Sequence, residues 1–399
     1  MTSKKTLTVM SKDLLIESRN SSKNNLKNIP YKKFLMEQVI QLAKKGKNNV
    51  SPNPMVGCII VEGRKSEVIG TGWHKKYGGN HAEIEAIKNC QKKFGSKKAS
   101  LLLKNSTFYV NLEPCSMEKN TPPCTDEIIK YNPRSVICAT RDPNPRINGK
   151  GIKKLRAAGI NVEVGLLRSD AIDLNKVFFV NQKLSRPYIT LKFAQSLDKK
   201  IGMKGKKKLL ISNTLSRKDV QKIRLNHQGI LIGSKTLNED DPELTVRHKK
   251  INPNNQPIKV VLGNSIQNLP SKKIFKEFSA IIFASSKEIK IPKNLQSKSF
   301  NLIEKKKNLI KKLLKVLLSK SYCSILVEGG SGVLSSFIRN GYFDEVIVYT
   351  APHIIGEKGV KALNKPATNI FNSSLKVKKI ERFDNDIKTT YINKKPNGI

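Results

Sequence analysis

Aromatic residues are scarce, 6% of the 399 residues, with a single tryptophan at Trp73. A platform of rings for stacking single-stranded bases is therefore poorly supplied. Acidic residues are also few: 31 Asp and Glu stand against 75 Lys and Arg, a formal charge of +44. Such a charge attracts phosphate backbones, but the lysines do not form one stripe. Lys206-Lys207-Lys208 and Lys305-Lys306-Lys307 fall in different segments, and Lys, Asn and Ile are abundant throughout. Compositional drift accounts for that pattern, and no nucleic-acid partner is expected. A phosphorylated small molecule would still benefit from the positive field. No apolar run reaches the length of a membrane span. The opening residues lack the basic-then-apolar pattern of a signal peptide. The six cysteines show no spacing of a disulfide framework. The expected location is a reducing cytoplasm, away from any membrane.

What is present suffices for two or three domains with ample core. Residues 1–30 are rich in Ser, Asn and Lys and read as a disordered extension. A transit peptide is the alternative; Asp13, Glu17 and the preference for Lys over Arg count against it. From Tyr31 the chain alternates. Phe34, Leu35, Val39, Ile40 and Leu42 have helical spacing, Val56–Val61 reads as a buried strand, and helix 82–93, strand 107–112, helix 124–131, strand 135–140, helix 151–158 and strand 160–164 follow. Leu174 to Arg186 reads as a connector. A second alternating run starts near Pro187: strand 188–193, helix 214–226, strands 229–233, 258–262 and 279–284, helix 306–320, strand 323–328, helix 332–340 and strand 344–349. Alternation of this kind implies α/β layers in both domains, 31–178 and 187–399.

The chemistry concentrates between residues 81 and 124. His81-Ala82-Glu83 is followed by Pro114-Cys115 and Pro123-Cys124. One imidazole and two thiolates supply three ligands for a tetrahedral zinc and leave a fourth position for water, as in catalytic sites. Glu83, two residues past the histidine, is placed to move protons without ligating metal. His-x-Glu with Pro-Cys and a later Cys is the signature of zinc deaminases of bases; here the second cysteine comes late. A core His with two core thiols, or a structural zinc with a further ligand, is the competing reading. The strand-to-turn pattern before Cys115 and the helix opening at His81 favour the catalytic one, because helix N-termini favour thiolate and hydroxide.

These residues, with Ser51-Pro-Asn-Pro-Met-Val-Gly57, Gly70-Thr-Gly-Trp-His74, Leu112-Glu-Pro-Cys115, Thr121-Pro-Pro-Cys124, Asp142-Pro-Asn-Pro145 and Gly149-Lys-Gly151, resemble the riboflavin-biosynthesis deaminase/reductase family. The resemblance runs from about Tyr31 into the C-terminal tail. It implies a zinc cytidine-deaminase-like three-layer domain, then a dihydrofolate-reductase-like α/β domain. The implied substrate is a phosphorylated diaminopyrimidinone, deaminated to the uracil and then reduced by NADPH at its ribosyl arm. On the deaminase side it implies zinc at His81, Cys115 and Cys124, proton transfer by Glu83, and substrate contacts at Asn53 and His74. In the second domain, Gln195-Ser-Leu-Asp198, Ile230–Thr236, Asp240–Arg247 and Ser324–Val333 carry the likeness. They imply cofactor contacts at Ala194, Thr236, Asp240, Gly330, Ser331, Gly332, Val333, Leu334, Ser335 and Ser336. Substrate contacts are implied at Lys200, Arg224, Leu244, Arg247 and Glu328, with the two arginines clamping phosphate. The resemblance further implies a homo-oligomer, a dimer through the reductase domain.

The sequence departs from the family at three places. Asn120 stands where a basic residue is usual, with Lys119 beside it. Lys199 stands where glycine is usual, and Lys208-Leu209-Leu210 replaces a segment containing tryptophan. Lys206 to Lys208 are candidates for the 2′-phosphate of NADPH. Two alternatives follow: a deaminase with a weakened reductase half, and a polynucleotide-binding RNA-editing deaminase.

Overall fold

The computed structural model describes residues 29–117, 122–203, 205, 209–247, 256–276, 279–297, 299–363 and 375–394. Residues 1–28 of the expected extension, Lys119-Asn120 and Lys206–Lys208 lie outside the described residues. The chain divides into two compact units, Met1–Lys183 and Leu184–Ile399.

The first unit is a sheet of five strands: β1 (Gly57–Glu62), β2 (Val68–Trp73), β3 (Ser106–Val110), β4 (Ser135–Cys138) and β5 (Asn161–Val164). Their order is β2-β1-β3-β4-β5. β1 runs antiparallel to both neighbours, and β3, β4 and β5 are parallel. Successive side chains of a strand point to opposite faces, and β1 serves two cores accordingly. Cys58 and Ile60 pack with Ala86, Ile87 and Cys90, whereas Ile59 and Val61 pack with Leu35, Met36 and Val39. The helices are α1 (Ile29–Ala43), α2 (Ala82–Phe94), α3 (Ser96–Lys104), α4 (Cys124–Tyr131), α5 (Lys150–Ala157), α6 (Arg168–Leu174) and α7 (Lys176–Leu184). Helices on both faces make the expected three layers. The stretch read as a connector contains α7. Neither Gly nor Pro interrupts residues 166–186, and burial of Phe179 overrides the weak helix preference of Val177-Phe178-Phe179-Val180.

The second unit holds β6 (Tyr188–Ser196), β7 (Lys200–Met203), β8 (Gly229–Gly233), β9 (Ile258–Leu262), β10 (Ile281–Ser285), β11 (Ser299–Ile303), β12 (Ser324–Val327), β13 (Glu345–Ala351), β14 (Gly359–Lys361), β15 (Leu375–Phe383) and β16 (Asp386–Asn393). Nine of these form one sheet, ordered β11-β10-β9-β8-β12-β6-β13-β16-β15, and β7 pairs with β14. The sheet is parallel except for the terminal hairpin β15–β16, which runs antiparallel onto β13. Its helices are α8 (Thr214–Leu225), α9 (Ser234–Asp240), α10 (Lys293–Gln296), α11 (Leu309–Ser319) and α12 (Ser331–Arg339). The central β12, Ser-Ile-Leu-Val, is wholly buried, as expected of a parallel strand covered on both faces. Ligands of such sheets bind beyond the carboxyl ends of the strands. There β8 leads into α9 and β12 into the Glu328–Gly330 turn and α12. Among the described residues no helix is long and apolar enough to cross a membrane.

Candidate functional site

His81 is the N-cap of α2, with extended backbone at φ −72° and ψ 164°. Cys124 is the first residue of α4, and Cys115 lies in the turn after β3. Nδ1 of His81 is 3.1 Å from Sγ of Cys124 and 3.4 Å from Sγ of Cys115. The backbone N–H of Cys124 donates to Sγ of Cys115 at 3.3 Å. All three donor atoms lie within 4.8 Å of one another. A tetrahedral zinc asks for about 3.5 Å between nitrogen and sulfur and about 3.8 Å between sulfurs, given its usual bond lengths. The residues therefore fit the ion. Two helix N-termini converge here and favour negative charge. The Cys115 thiol is held well below its ordinary range, first by its hydrogen bond with Cys124 and then, against the cost of burial, by His81. Cys124 is pushed up by the same hydrogen bond and by burial.

Glu83 sits in the first turn of α2 and is buried. Burial pushes its carboxyl up to about 6, against the pull of the His81 imidazole. The depth of α2 is set by glycine. A Cβ on Gly70 would run into the carbonyl of Ala86, and one on Gly72 into the backbone of Ala82 and Ala86.

The carboxylate of Glu113, next to Pro114-Cys115, is enclosed by backbone. Oε2 accepts from the N–H groups of Asp142 at 3.1 Å and Gly149 at 2.9 Å, and Oε1 from those of Gly151 at 3.0 Å and Ile152 at 3.3 Å. It thereby fixes the Asp142–Gly151 loop, which packs so tightly that a Cβ on Gly151 would strike the carbonyl of Pro114. In the sequence Glu113 is only one member of the Leu-Glu-Pro-Cys run, and nothing local marks its role.

His74 and Asn53 come together beside the cluster of His81, Cys115 and Cys124. The ring of His74 meets that of His81 edge-on with centroids 5.6 Å apart. Its Nδ1 lies 2.9 Å from the carbonyl oxygen of Asn80 and its Nε2 lies 3.2 Å from Nδ2 of Asn53. A carbonyl only accepts, so Nδ1 carries the proton, Nε2 accepts, and Nδ2 of Asn53 donates. Burial lowers the pKa of His74, which keeps the ring neutral. Asn80 is itself held by Glu85 at 2.8 Å, and Lys75 pairs with the same carboxylate.

In the second unit two cavities of about 600 and 800 Å³ open at the carboxyl ends of the strands. They share Ile201, Leu209, Thr236, Asp240 and Gly330 in their walls. The first cavity takes Lys192, Ala194, Arg224, Arg247 and Glu328, with Arg217, Lys218 and Gln221 from α8. The second takes the Gly330–Val333 turn, Ser336, and beyond them Asn264, Ser286 and Lys306. Lys200 and Leu244 line neither cavity, nor do Leu334 and Ser335. Leu244 and Leu334 belong to the core, and Ser335 is buried.

Arg224 differs from the expected free clamp. Its Nε lies 3.2 Å from both carboxylate oxygens of Glu328, Nη2 is 2.5 Å from Oε2, and Nη1 donates to the carbonyl of Thr245 at 3.0 Å. Burial would raise the Glu328 carboxyl, but Arg224 and Lys192 outweigh it and hold it down to about 2. Burial lowers the pKa of Lys192 in turn. Arg247 is exposed, and its guanidinium has no partner among the described residues. The sequence signal for Lys192 is a lone lysine inside the largely apolar strand Tyr188–Phe193. Asn264, Ser286 and Lys306 carry no motif, and only the fold gathers them.

The model of the cytidine and deoxycytidylate deaminase zinc-binding region matches residues 30–140. The model of the RibD C-terminal domain matches residues 187–389. The riboflavin biosynthesis protein RibD of Aquifex aeolicus is 37% identical over 89% of this chain and 96% of its own. That of Escherichia coli K12 is 34% identical over 81% of this chain and 88% of its own. A solved Acinetobacter baumannii RibD superposes with a TM-score of 0.79 at 30% identity, covering 92% of this chain and 99% of its own. A diaminohydroxyphosphoribosylaminopyrimidine deaminase/5-amino-6-(5-phosphoribosylamino)uracil reductase from Thermotoga maritima does so at 0.77 and 31%, covering 91% and 98%. With both halves matched, this chain belongs to the RibD family of riboflavin biosynthesis proteins.

Proposed function

We propose that this chain hydrolyses the 2-amino group of a 2,5-diamino-6-(5-phosphoribosylamino)pyrimidin-4-one to the uracil, releasing ammonia. It then reduces the ribosyl arm to ribityl with NADPH. The observation that carries the reading is the His81, Cys115 and Cys124 cluster with the Glu83 carboxyl buried in the adjoining helix turn, on the same chain as the paired cavities.

His81, Cys115 and Cys124 would hold zinc, which when bound supplies a Lewis acid and an activated water. Glu83 moves the protons: it takes one from the attacking water and delivers protons to the ring and the leaving amine. A carboxyl brought to about 6 by burial is near neutrality and suited to both directions. Asn53, oriented by His74, offers its Oδ1 as acceptor to an N–H of the pyrimidine.

NADPH, when bound, supplies the hydride. We assign it to the larger cavity, with the backbone N–H groups of the Gly330–Gly332 turn at the start of α12 facing its phosphates. Lys306 contributes positive charge on the far side. The open-chain sugar phosphate occupies the smaller cavity, where Arg247 holds phosphate and the Arg224–Glu328 pair forms a fixed polar wall. The shared stretch at Thr236, Asp240 and Gly330 is where substrate and cofactor meet. The same reading includes a homodimer, supported by exposed Val377, Ile380 and Ile387 on the terminal hairpin. It also includes a cytoplasmic location, supported by six free cysteines.

Purified protein given the diamino substrate should release ammonia, and with NADPH should yield the ribityl product. Absence of ammonia overturns the deaminase assignment. A uracil product that persists despite NADPH overturns the reductase one.

A further inference from the structure

Helix α8 contributes Arg217, Lys218, Gln221 and Arg224 to the smaller cavity and no residue to the larger one. Its other side is held by β13 and the C-terminal hairpin β15–β16, which line neither cavity.

The first anchor is at the helix start. Asn213 is the N-cap, its side chain accepting from the Ser216 N–H at 2.9 Å. Oδ2 of the buried Asp386 accepts from the backbone N–H of Asn213 at 2.8 Å and from the Ser216 hydroxyl at 2.6 Å. Nδ2 of Asn213 donates to the carbonyl of Phe383 at 2.6 Å. The hairpin turn therefore grips the cap residue from both ends.

The second anchor is Asp219. Its Oδ2 accepts from the hydroxyl of Tyr349 at 2.6 Å and from Nζ of Lys388 at 2.7 Å. Lys388 also lies 3.4 Å from Glu381. Asp219, Tyr349 and Lys388 are buried. Asn213 and Asp219 are six residues apart, about 9 Å along the axis. One anchor would leave the helix free to swing about its start. Two fix its tilt and rotation together, and charge-assisted bonds between buried groups hold their lengths closely.

We infer that the hairpin β15–β16, through Asp386 and Lys388, together with Tyr349 of β13, positions α8 and so sets the substrate-facing wall of the reductase cavity. These are positioning residues, and the inference rests on the smaller cavity being the substrate site. A shift of about 1 Å in such a wall is enough to misplace a reacting group.

The test uses the full-length protein and the variants Asp386→Ala, Asp386→Asn and Tyr349→Phe. The dissociation constant of the uracil intermediate is read by calorimetry, beside its KM and kcat, the dissociation constant of NADPH and ammonia release. Asp386→Ala should weaken binding of the intermediate about tenfold and Tyr349→Phe about threefold, given what such hydrogen bonds contribute. Asp386→Asn should fall between Asp386→Ala and wild type, since its amide oxygen still accepts. NADPH binding and ammonia release should be unchanged. Folded variants that bind the intermediate like wild type overturn the inference, as do variants in which NADPH affinity falls in parallel. Tyr349→Phe removes one hydroxyl and decides the question if Asp386→Ala does not fold. A wild-type protein that binds the intermediate without reducing it overturns the functional reading, while the binding arm still decides this one.

Discussion

Arg224 grips both carboxylate oxygens of Glu328, with Nε 3.2 Å from each and Nη2 at 2.5 Å from one. The pair is half-buried between α8 and the end of β12. It gives the two arginines read together in the sequence different duties.

Arg224→Ala should behave as a folding mutation. It leaves the half-buried Glu328 carboxylate with Lys192 as its remaining cation, which costs about 1–3 kcal/mol. Arg247→Ala, at an exposed position, should leave the unfolding midpoint unchanged and lower kcat/KM for reduction about ten- to a hundredfold. Denaturant melts beside steady-state reduction distinguish them. Equal stability losses in both variants would refute the division, and an undiminished rate in Arg247→Ala would remove it from the substrate site.

The same pair predicts a pH dependence. The Glu328 carboxyl is held down from 4.5 to about 2 in the folded protein, so folding favours its ionised form. Its contribution is fully present above about pH 4.5 and is lost as pH falls through about 2; at about 1.4 kcal/mol per unit it is on the order of 3 kcal/mol. Glu328→Gln should be less stable at neutral pH but should lose less stability across that window. Urea midpoints measured across the window check this. Parallel curves for the two proteins would show that the carboxylate is not the group responsible.

Glu83→Gln should keep the metal and the fold and lose deamination by about 10²–10⁴-fold, because an amide cannot shuttle protons. Zinc content by emission spectrometry should match wild type. Given the uracil intermediate directly, the variant should oxidise NADPH at the wild-type rate. Near-normal ammonia release would exclude Glu83 as the proton carrier.

Glu113→Ala leaves four backbone N–H groups without their acceptor. The loss should reach about 3 kcal/mol or more. Because Cys115 is two residues away, zinc retention should fall with it while reduction persists. A variant with full zinc content and unchanged stability would show that the Asp142–Gly151 loop holds itself.

The sequence exposes what is local. The His81-Ala82-Glu83, Pro114-Cys115 and Pro123-Cys124 motifs and the alternation of strands with helices are each written in a few neighbouring residues. The three-layer order comes from the family resemblance, and the two cores served by Gly57–Glu62 agree with it. The missing parts depend on contacts distant in the chain. Glu113 is defined by backbone groups 29 to 39 residues on. The capture of Arg224 by Glu328 joins residues 104 apart. Strand β15 shows only partial alternation, because both faces are exposed as far as Ile380 and the register shifts between Val377 and Lys379, so no apolar period announces it. Helix α7 was hidden by bulky residues whose burial, not propensity, makes them helical.

Gly70 and Gly72 bring β2 against the backbone of α2 with no side chain between. Where side chains separate two elements, rotamer changes act as a suspension and let the elements drift when the core is altered. Here there is none, and the helix carrying Glu83 rests on a hard stop. Repacking Ile87 or Cys90 should therefore change how firmly the domain holds together without changing how far the carboxylate reaches toward its substrate.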